Sequence, residues 1–309
     1  MSAEAAPSVR WPVRAFRASG VSSLDDQVAG EEVLEILLAA QDSAESGEPW
    51  TITLRTPGED EDLVAGLLYA EGLVRGAGDI AAIRPLPGSL GENGQRVDRL
   101  LVVLRRLPTE GLPASTRRTA SSAACGACGR SSAAGVFAGP WPPLLADEPR
   151  VARALLQSLP ARMRERQKIF TETGGLHAAA LFSAAGELLL LREDVGRHNA
   201  VDKVVGALLS LNQLPATRAI LAVSGRAGAE IVHKALRAGL PMIAAVGAPA
   251  SLALRLAQQG GLTLAGFLRG GGFNLYTHPR RIASEVSGLD AFQAPASNLI
   301  QFCANLPEV

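Results

Sequence analysis

The chain has 309 residues, 30 basic and 30 acidic side chains, zero formal net charge and 47% apolar residues. That length suits two domains or one large one, and the apolar share suits a real core. Balanced charge argues against a nucleic-acid or membrane surface as partner. Residues 1–20 contain no long apolar run, and runs such as the four leucines at 188–191 fall far below the roughly 20 residues of a membrane span, so a cytoplasmic protein is expected. Three cysteines do not make a disulfide scaffold.

In chain order, residues 1–20 read as irregular. QVAGEEVLEILLAAQ, 27–41, has apolar positions at helix-like spacing, and WTITLRT, 50–56, alternates as a strand does. PGEDEDLVAGLLYAEGLV, 57–74, opens with a Pro-Gly turn and four acidic residues that suit a helix N-terminus. RVDRLLVVLRRL, 96–107, reads as a strand. Residues 113–146 are rich in Ser, Ala, Gly and Pro, contain no acid, and read as a mobile loop or linker. From 147 onward helices and strands alternate. Helical patterns lie at 150–163, 196–211, 227–239 and 250–260; strands lie at 177–194 (two, joined at Ala185-Gly186), 219–225, 242–248 and 262–278 (two, around glycines). Such alternation predicts βαβ units and a sheet covered on both faces.

Cys125 and Cys128 sit in SSAACGACGRSS, where the only charges between Gly111 and Leu145 are Arg117, Arg118 and Arg130. Positive surroundings favour the reactive thiolate. A zinc site needs about four ligands, and no second pair lies at ligand spacing, although two pairs could share zinc across a dimer. A thioredoxin-like pair belongs at a strand-to-helix junction, which this segment lacks. A sulfur-carrying nucleophile pair fits an exposed basic loop, and a pair with no special role stays open beside it.

Three later junctions suit an anion. In LREDVGRHNAVDKVVG, 191–206, a strand ends at Glu193-Asp194 and a helix begins near His198, with Arg197 between. Asp194 and His198 could form an acid–base pair, or Asp194 could cap the helix with His198 packed against it. AVSGRAGAEIVHKA, 222–235, repeats the pattern with Arg226, and an exposed helix face is an equal reading for His233 and Lys234. FLRGGGFNLYTHP, 267–279, sets three glycines beside Arg269, where backbone and ligand can approach closely or the chain simply turns. His177 alone reads as a hydrogen-bonded core histidine.

Together these segments, with TGGLHAAAL and GLPMIAAVGAPASLALRLA, resemble the FdhD family of formate dehydrogenase accessory sulfurtransferases over about residues 50–285. The resemblance implies a fold class of α/β (α+β overall): a cytidine-deaminase-like three-layer domain at 147–309, a smaller α+β region at 1–112, and a mobile Cys-x-x-Cys loop at 113–146. It implies a sulfurtransferase that takes persulfide sulfur from a cysteine desulfurase and passes it to the molybdenum (or tungsten) bis-molybdopterin guanine dinucleotide cofactor of a client formate dehydrogenase. Cys125 is the implied persulfide carrier and Cys128 its partner. Phe267, Leu268, Arg269, Gly270, Gly271 and Gly272 match the family's cofactor-binding stretch. Arg226, Asp194 and His198 are further candidates for binding that cofactor, or GDP as its fragment, and a homodimer is implied. A deaminase needs His-x-Glu and a later Pro-Cys-x-x-Cys to hold zinc. Here HAA at 177–179 lacks the glutamate and the later junction lacks cysteine, so no zinc is expected. The competing function is a non-enzymatic cofactor chaperone whose cysteines hold zinc between protomers.

Overall fold

The computed structural model describes residues 5–43, 47–106, 141–144 and 150–283. The expectations for Cys125 and Cys128 and for the loop at 113–140 lie outside those residues. The fold is mixed α+β, as the sequence predicts. A hairpin comes first, β1 (Ser8–Arg17) with β2 (Gly20–Ala29). A four-stranded sheet follows in the order β4-β3-β6-β5, from β3 (Glu32–Ala40), β4 (Glu48–Arg55), β5 (Ile80–Leu90) and β6 (Arg96–Leu104). Helix α1 (Asp60–Glu71) lies between β4 and β5 in sequence.

The second half forms a six-stranded sheet, β13-β12-β11-β10-β8-β9. Its strands are β8 (His177–Ser183), β9 (Leu188–Asp194), β10 (Ala219–Val223), β11 (Met242–Ala245), β12 (Thr263–Arg269) and β13 (Gly272–Thr277). The strands β10, β11 and β12 are parallel, while β8 pairs antiparallel with both β9 and β10 and β13 antiparallel with β12. Helix α2 (Arg153–Arg164) buries Leu156, Leu159 and Met163 against Ala180, Phe182, Ile220 and Ala222 on one face. On the other face lie α4 (Arg197–Ser210), α5 (Ala229–Arg237) and α6 (Ser251–Gln259), which pack against Leu181, Leu221, Val223 and Ile243. The two-residue strands β7 (Val151–Ala152) and β14 (Ile282–Ala283) pair alongside, and α3 (Lys168–Thr173) is a short helix before β8.

Two expectations are corrected. Residues 27–41 form the end of β2 and all of β3, not a helix. Leu34, Ile36 and Leu38 face the main core while Leu37 and Ala39 face a smaller cluster with Leu101 and Val103. A strand buried on both faces shows no alternation, so its apolar run imitates a helical stripe. Residues 8–17, read as irregular, form β1, whose strand period is blurred by Pro12 and Phe16 on the side of Arg10 and Arg14 and by Arg17 on the apolar side. The strand β5 has no clear signal because Pro85 and Pro87 interrupt it, which its place at the sheet edge tolerates.

The two sheets meet through α1 and α4, and one continuous apolar cluster runs from Leu34 and Val102 through Leu68 and Val204 to Leu221. The helices cross at glycines. A Cβ on Gly66 would fall inside the radius of the Asp202 carbonyl oxygen, and one on Gly206 inside that of Asp62. The turn between β4 and α1 locks onto the junction of β9 and α4. Asp194 Oδ2 accepts from the Thr56 N–H (3.2 Å), the Val195 N–H donates to Thr56 Oγ1 (3.1 Å), and the Asn199 amide donates to the Leu54 carbonyl (2.8 Å). Lys203, fully buried, binds Asp194 at 2.9 Å and the Thr56 carbonyl at 3.0 Å. Asp62 of the acidic turn holds Arg192 at 2.7 Å.

Gly66→Ala and Gly206→Ala are each expected to lower stability by about 1–3 kcal/mol or more, as overpacking does. Gly76→Ala, where a Cβ meets nothing within 4 Å, is the control and leaves the thermal midpoint near wild type.

Candidate functional site

The pairing directions place the C-terminal ends of β9, β10, β11 and β12 at one edge of the six-stranded sheet, together with the N-terminal end of β8. That is the edge at which open α/β sheets take ligands. Three turns stack there. Gly247 N–H donates to the Gly225 carbonyl (2.9 Å), Ala227 N–H to that of Ala248 (3.2 Å), and Phe267 N–H to that of Gly247 (3.1 Å). A Cβ on Gly247 would lie 2.9 Å from the Gly225 oxygen, so the layers close this tightly only around glycine. Helices α4, α5 and α6 start at this edge from Gly196, Gly228 and Ala250, none with a side-chain cap. First-turn N–H groups without caps favour an anion.

Phe267 has a left-handed backbone, φ 57°, inside a bulge between Gly266 and Arg269. The bulge brings the Arg269 guanidinium to 5.3 Å from the Phe267 ring centre. Leu268 points into the core beneath. Gly270 and Gly271 take φ 60° and 75°, which a side chain would strain, and Gly271 accepts a hydrogen bond from Gln157. Arg226 and Arg269 are exposed at the same edge.

Asp194 and His198 are both buried and do different work. Asp194 accepts from the Gly196 N–H (2.8 Å) and Asn199 (3.0 Å) besides Thr56 and Lys203, so its carboxylate serves the junction, and of its two readings the acid–base pair with His198 is not formed. Glu193 beside it accepts from the N–H groups of Ile169 and Phe170, which anchors α3. His198 Nδ1 instead meets Glu230 Oε2 at 3.2 Å. Glu230 also approaches Lys234 at 3.4 Å, and Lys234 binds Asp202 at 2.5 Å. Burial alone would lower Lys234, but Asp202 and Glu230 outweigh it and raise it. The expectation of an exposed helix face for His233 and Lys234 is corrected: they are 4% and 3% exposed. The amphipathic period gave no signal of this, because 231, 232, 235 and 236 make the apolar stripe and 233 and 234 lie off it. His233 accepts from the Trp141 indole at 3.4 Å.

A cavity of about 550 Å³ opens beside the stacked turns, between α2, α3 and the start of β8. Phe170, Met163, His177, Ser224 and Val246 line it, and the Arg164 guanidinium stacks 3.8 Å over the Phe170 ring. His177, read as a core histidine, is half-buried on this wall. Burial first, then Arg197, lowers its pKa, against a weaker pull upward from Asp194. Ser224 Oγ accepts from the Ala178 N–H at 2.8 Å and so ties the β10 turn to β8. Among the described residues, no group of three or more His, Cys, Asp or Glu is placed to hold a metal.

The model of the FdhD/NarQ family matches residues 43–283. The chain is 44% identical to the sulfur carrier protein FdhD of Nocardia farcinica, over 85% of this chain and 90% of that one. It is 44% identical to that of Streptomyces avermitilis (89% and 95%) and 43% identical to that of the archaeon Sulfurisphaera tokodaii (84% and 92%). A crystal structure of a putative formate dehydrogenase accessory protein from Desulfotalea psychrophila superposes with a TM-score of 0.67 at 24% identity, over 90% of this chain and all of that one, and shares the fold.

Burial holds the His198 imidazole at about 4, below its ordinary 6.5, although Glu230 pulls the other way. The unfolded chain therefore binds the extra proton first as pH falls, and His198 costs stability between pH 6.5 and 4. Thermal midpoints across that window should fall less steeply with acid for His198→Gln than for wild type.

Proposed function

Because the chain belongs to the FdhD/NarQ family, we propose that it is a sulfurtransferase acting as a homodimer in the cytoplasm. It accepts sulfur from a cysteine desulfurase and passes it to the molybdenum or tungsten bis-molybdopterin guanine dinucleotide destined for a formate dehydrogenase. The relatives named as sulfur carriers, identical at 44% over most of the chain, support the carrier role. The observation that carries the binding half is the stack of three glycine turns at one sheet edge, with Arg226 and Arg269 exposed beside uncapped helix starts. Backbone N–H groups and guanidinium forks suit the phosphates of a dinucleotide. Phe267 and Arg269 offer a flat ring and a fork together for a base or ribose phosphate.

The sulfur step belongs to Cys125, with Cys128 as partner. Its thiolate attacks the outer sulfur of the donor persulfide, a new S–S bond forms on Cys125, and the donor cysteine leaves as a thiolate. The acid-free window holding Arg117, Arg118 and Arg130 supports a reactive thiolate at that position. Asp194 and Lys203 hold the junction on which the binding edge is built, and His198 stays neutral there in this reading.

Intact-mass spectrometry after incubation with a cysteine desulfurase and cysteine should show a sulfur adduct that is absent in Cys125→Ala. No adduct on the wild-type chain sinks the carrier reading. Arg269→Ala should weaken GDP binding by calorimetry about tenfold or more, the scale of a charge-assisted contact, and unchanged affinity removes Arg269 from the site.

A further inference from the structure

The hairpin of β1 and β2 presents a face that the described residues leave bare. Directly opposed residues share a face, so one side carries the rungs Val9–Val28, Trp11–Asp26, Val13–Leu24, Ala15–Ser22 and Arg17–Gly20. Val9, Trp11 and Leu24 on it are 39%, 61% and 37% exposed. The other side carries Arg10, Arg14, Asp25 and Gln27 on its middle rungs, and its apolar pair Phe16–Val21, 77% and 54% exposed, is confined to the hairpin tip. The hairpin is a two-stranded sheet of its own, closed at its base by the Gly30 N–H to the Pro7 carbonyl (2.8 Å) and tied to α3 by Ser8 Oγ donating to Glu172 (3.5 Å). Two strands alone are marginal in water, and a bare apolar face of this kind marks a contact surface.

We propose that this face docks on the same face of a second copy of the chain, the two hairpins antiparallel about a twofold axis that crosses the strands between the Val13–Leu24 and Ala15–Ser22 rungs. The argument is self-complementarity. The face runs about 27 Å from Val9 to Arg17 at roughly 3.4 Å per residue. Turned about that axis, its large rungs fall on small ones: Val13 meets the partner's Ala15, Leu24 meets the partner's Ser22, and Asp26 lies over the partner's Gly20. Its two charges, at opposite ends of one copy, come together across the axis. The partner's Arg17 lands on the Trp11 ring and one strand spacing from Asp26, and the axis repeats both contacts. Any other rung on the axis parts Arg17 from Asp26. The hairpin base also carries Ala29, whose Cβ lies 3.2 Å from the place of a Cβ on Gly175, at the cavity wall. The base of the hairpin therefore sits at the cavity wall, on the side opposite the proposed contact.

The inference rests on the homodimer of the functional reading and specifies its surface. Light scattering after size exclusion should give a dimer for the full wild-type chain. Trp11→Ser, Arg17→Asp and Asp26→Arg should each raise the dissociation constant about tenfold or more, with far-UV dichroism and thermal midpoint unchanged. The Arg17→Asp/Asp26→Arg double variant restores the ion pair but not the cation on Trp11, so it should dimerise more tightly than either single charge reversal. A dimer indifferent to all three single changes, or a double variant no better than the singles, overturns this surface and leaves the homodimer standing. A wild-type monomer at every concentration removes both. Trp11 fluorescence that stays shielded from iodide in dilute, monomeric protein shows that the chain covers the face itself, which also overturns the inference.

Discussion

The contact on which the rest of the molecule depends is the crossing of α1 and α4 at Gly66 and Gly206. Each glycine sits against a carbonyl of the other helix at a distance no side chain permits. That closeness brings Asp62 within reach of Arg192 and sets the turn before α1 against the start of α4. A pair of larger residues would separate the helices and with them the two sheets, because the same apolar cluster fills both sides.

Buried charge then fixes the orientation. Lys203 and Asp194 are wholly enclosed, and each is satisfied by backbone groups from both halves of the chain as well as by the other. Removing one partner of such a pair leaves a charge that the interior cannot solvate, so the arrangement is specific more than it is strong. The second network, His198–Glu230–Lys234–Asp202, links the edge of stacked glycine turns to the crossing itself, because the Asp202 carbonyl is the one that meets Gly66. The edge is thus held by charges behind it, while Arg226 and Arg269 stand exposed in front.

Much of the second half was legible from sequence. The strands at 177–194 and 219–225 and the helices at 197–210 and 229–237 announce themselves through apolar period and glycine stops. The first half was less so. Residues 32–40 are packed on both faces and lose the alternation that identifies a strand, and in 8–17 Phe16 on the arginine side and Arg17 on the apolar side of a lone hairpin break it. At the site, the acidic and basic residues of REDVGRHNAVDK could be named but not sorted. Asp194, His198 and Lys203 look equally available in a line of text.

What the sequence by itself determined was which segments could be helix or strand, which glycines marked turns, and a chain of motifs that places it in one family. Those are local properties, set by side-chain period and backbone freedom. Only the tertiary structure decided which charges are spent internally and which face outward. Asp194 meets Thr56 from 138 residues away, and Lys234 meets Asp202 from another helix. Ion pairs of that kind are chosen by distance and burial in three dimensions, and neither quantity is written in the order of residues.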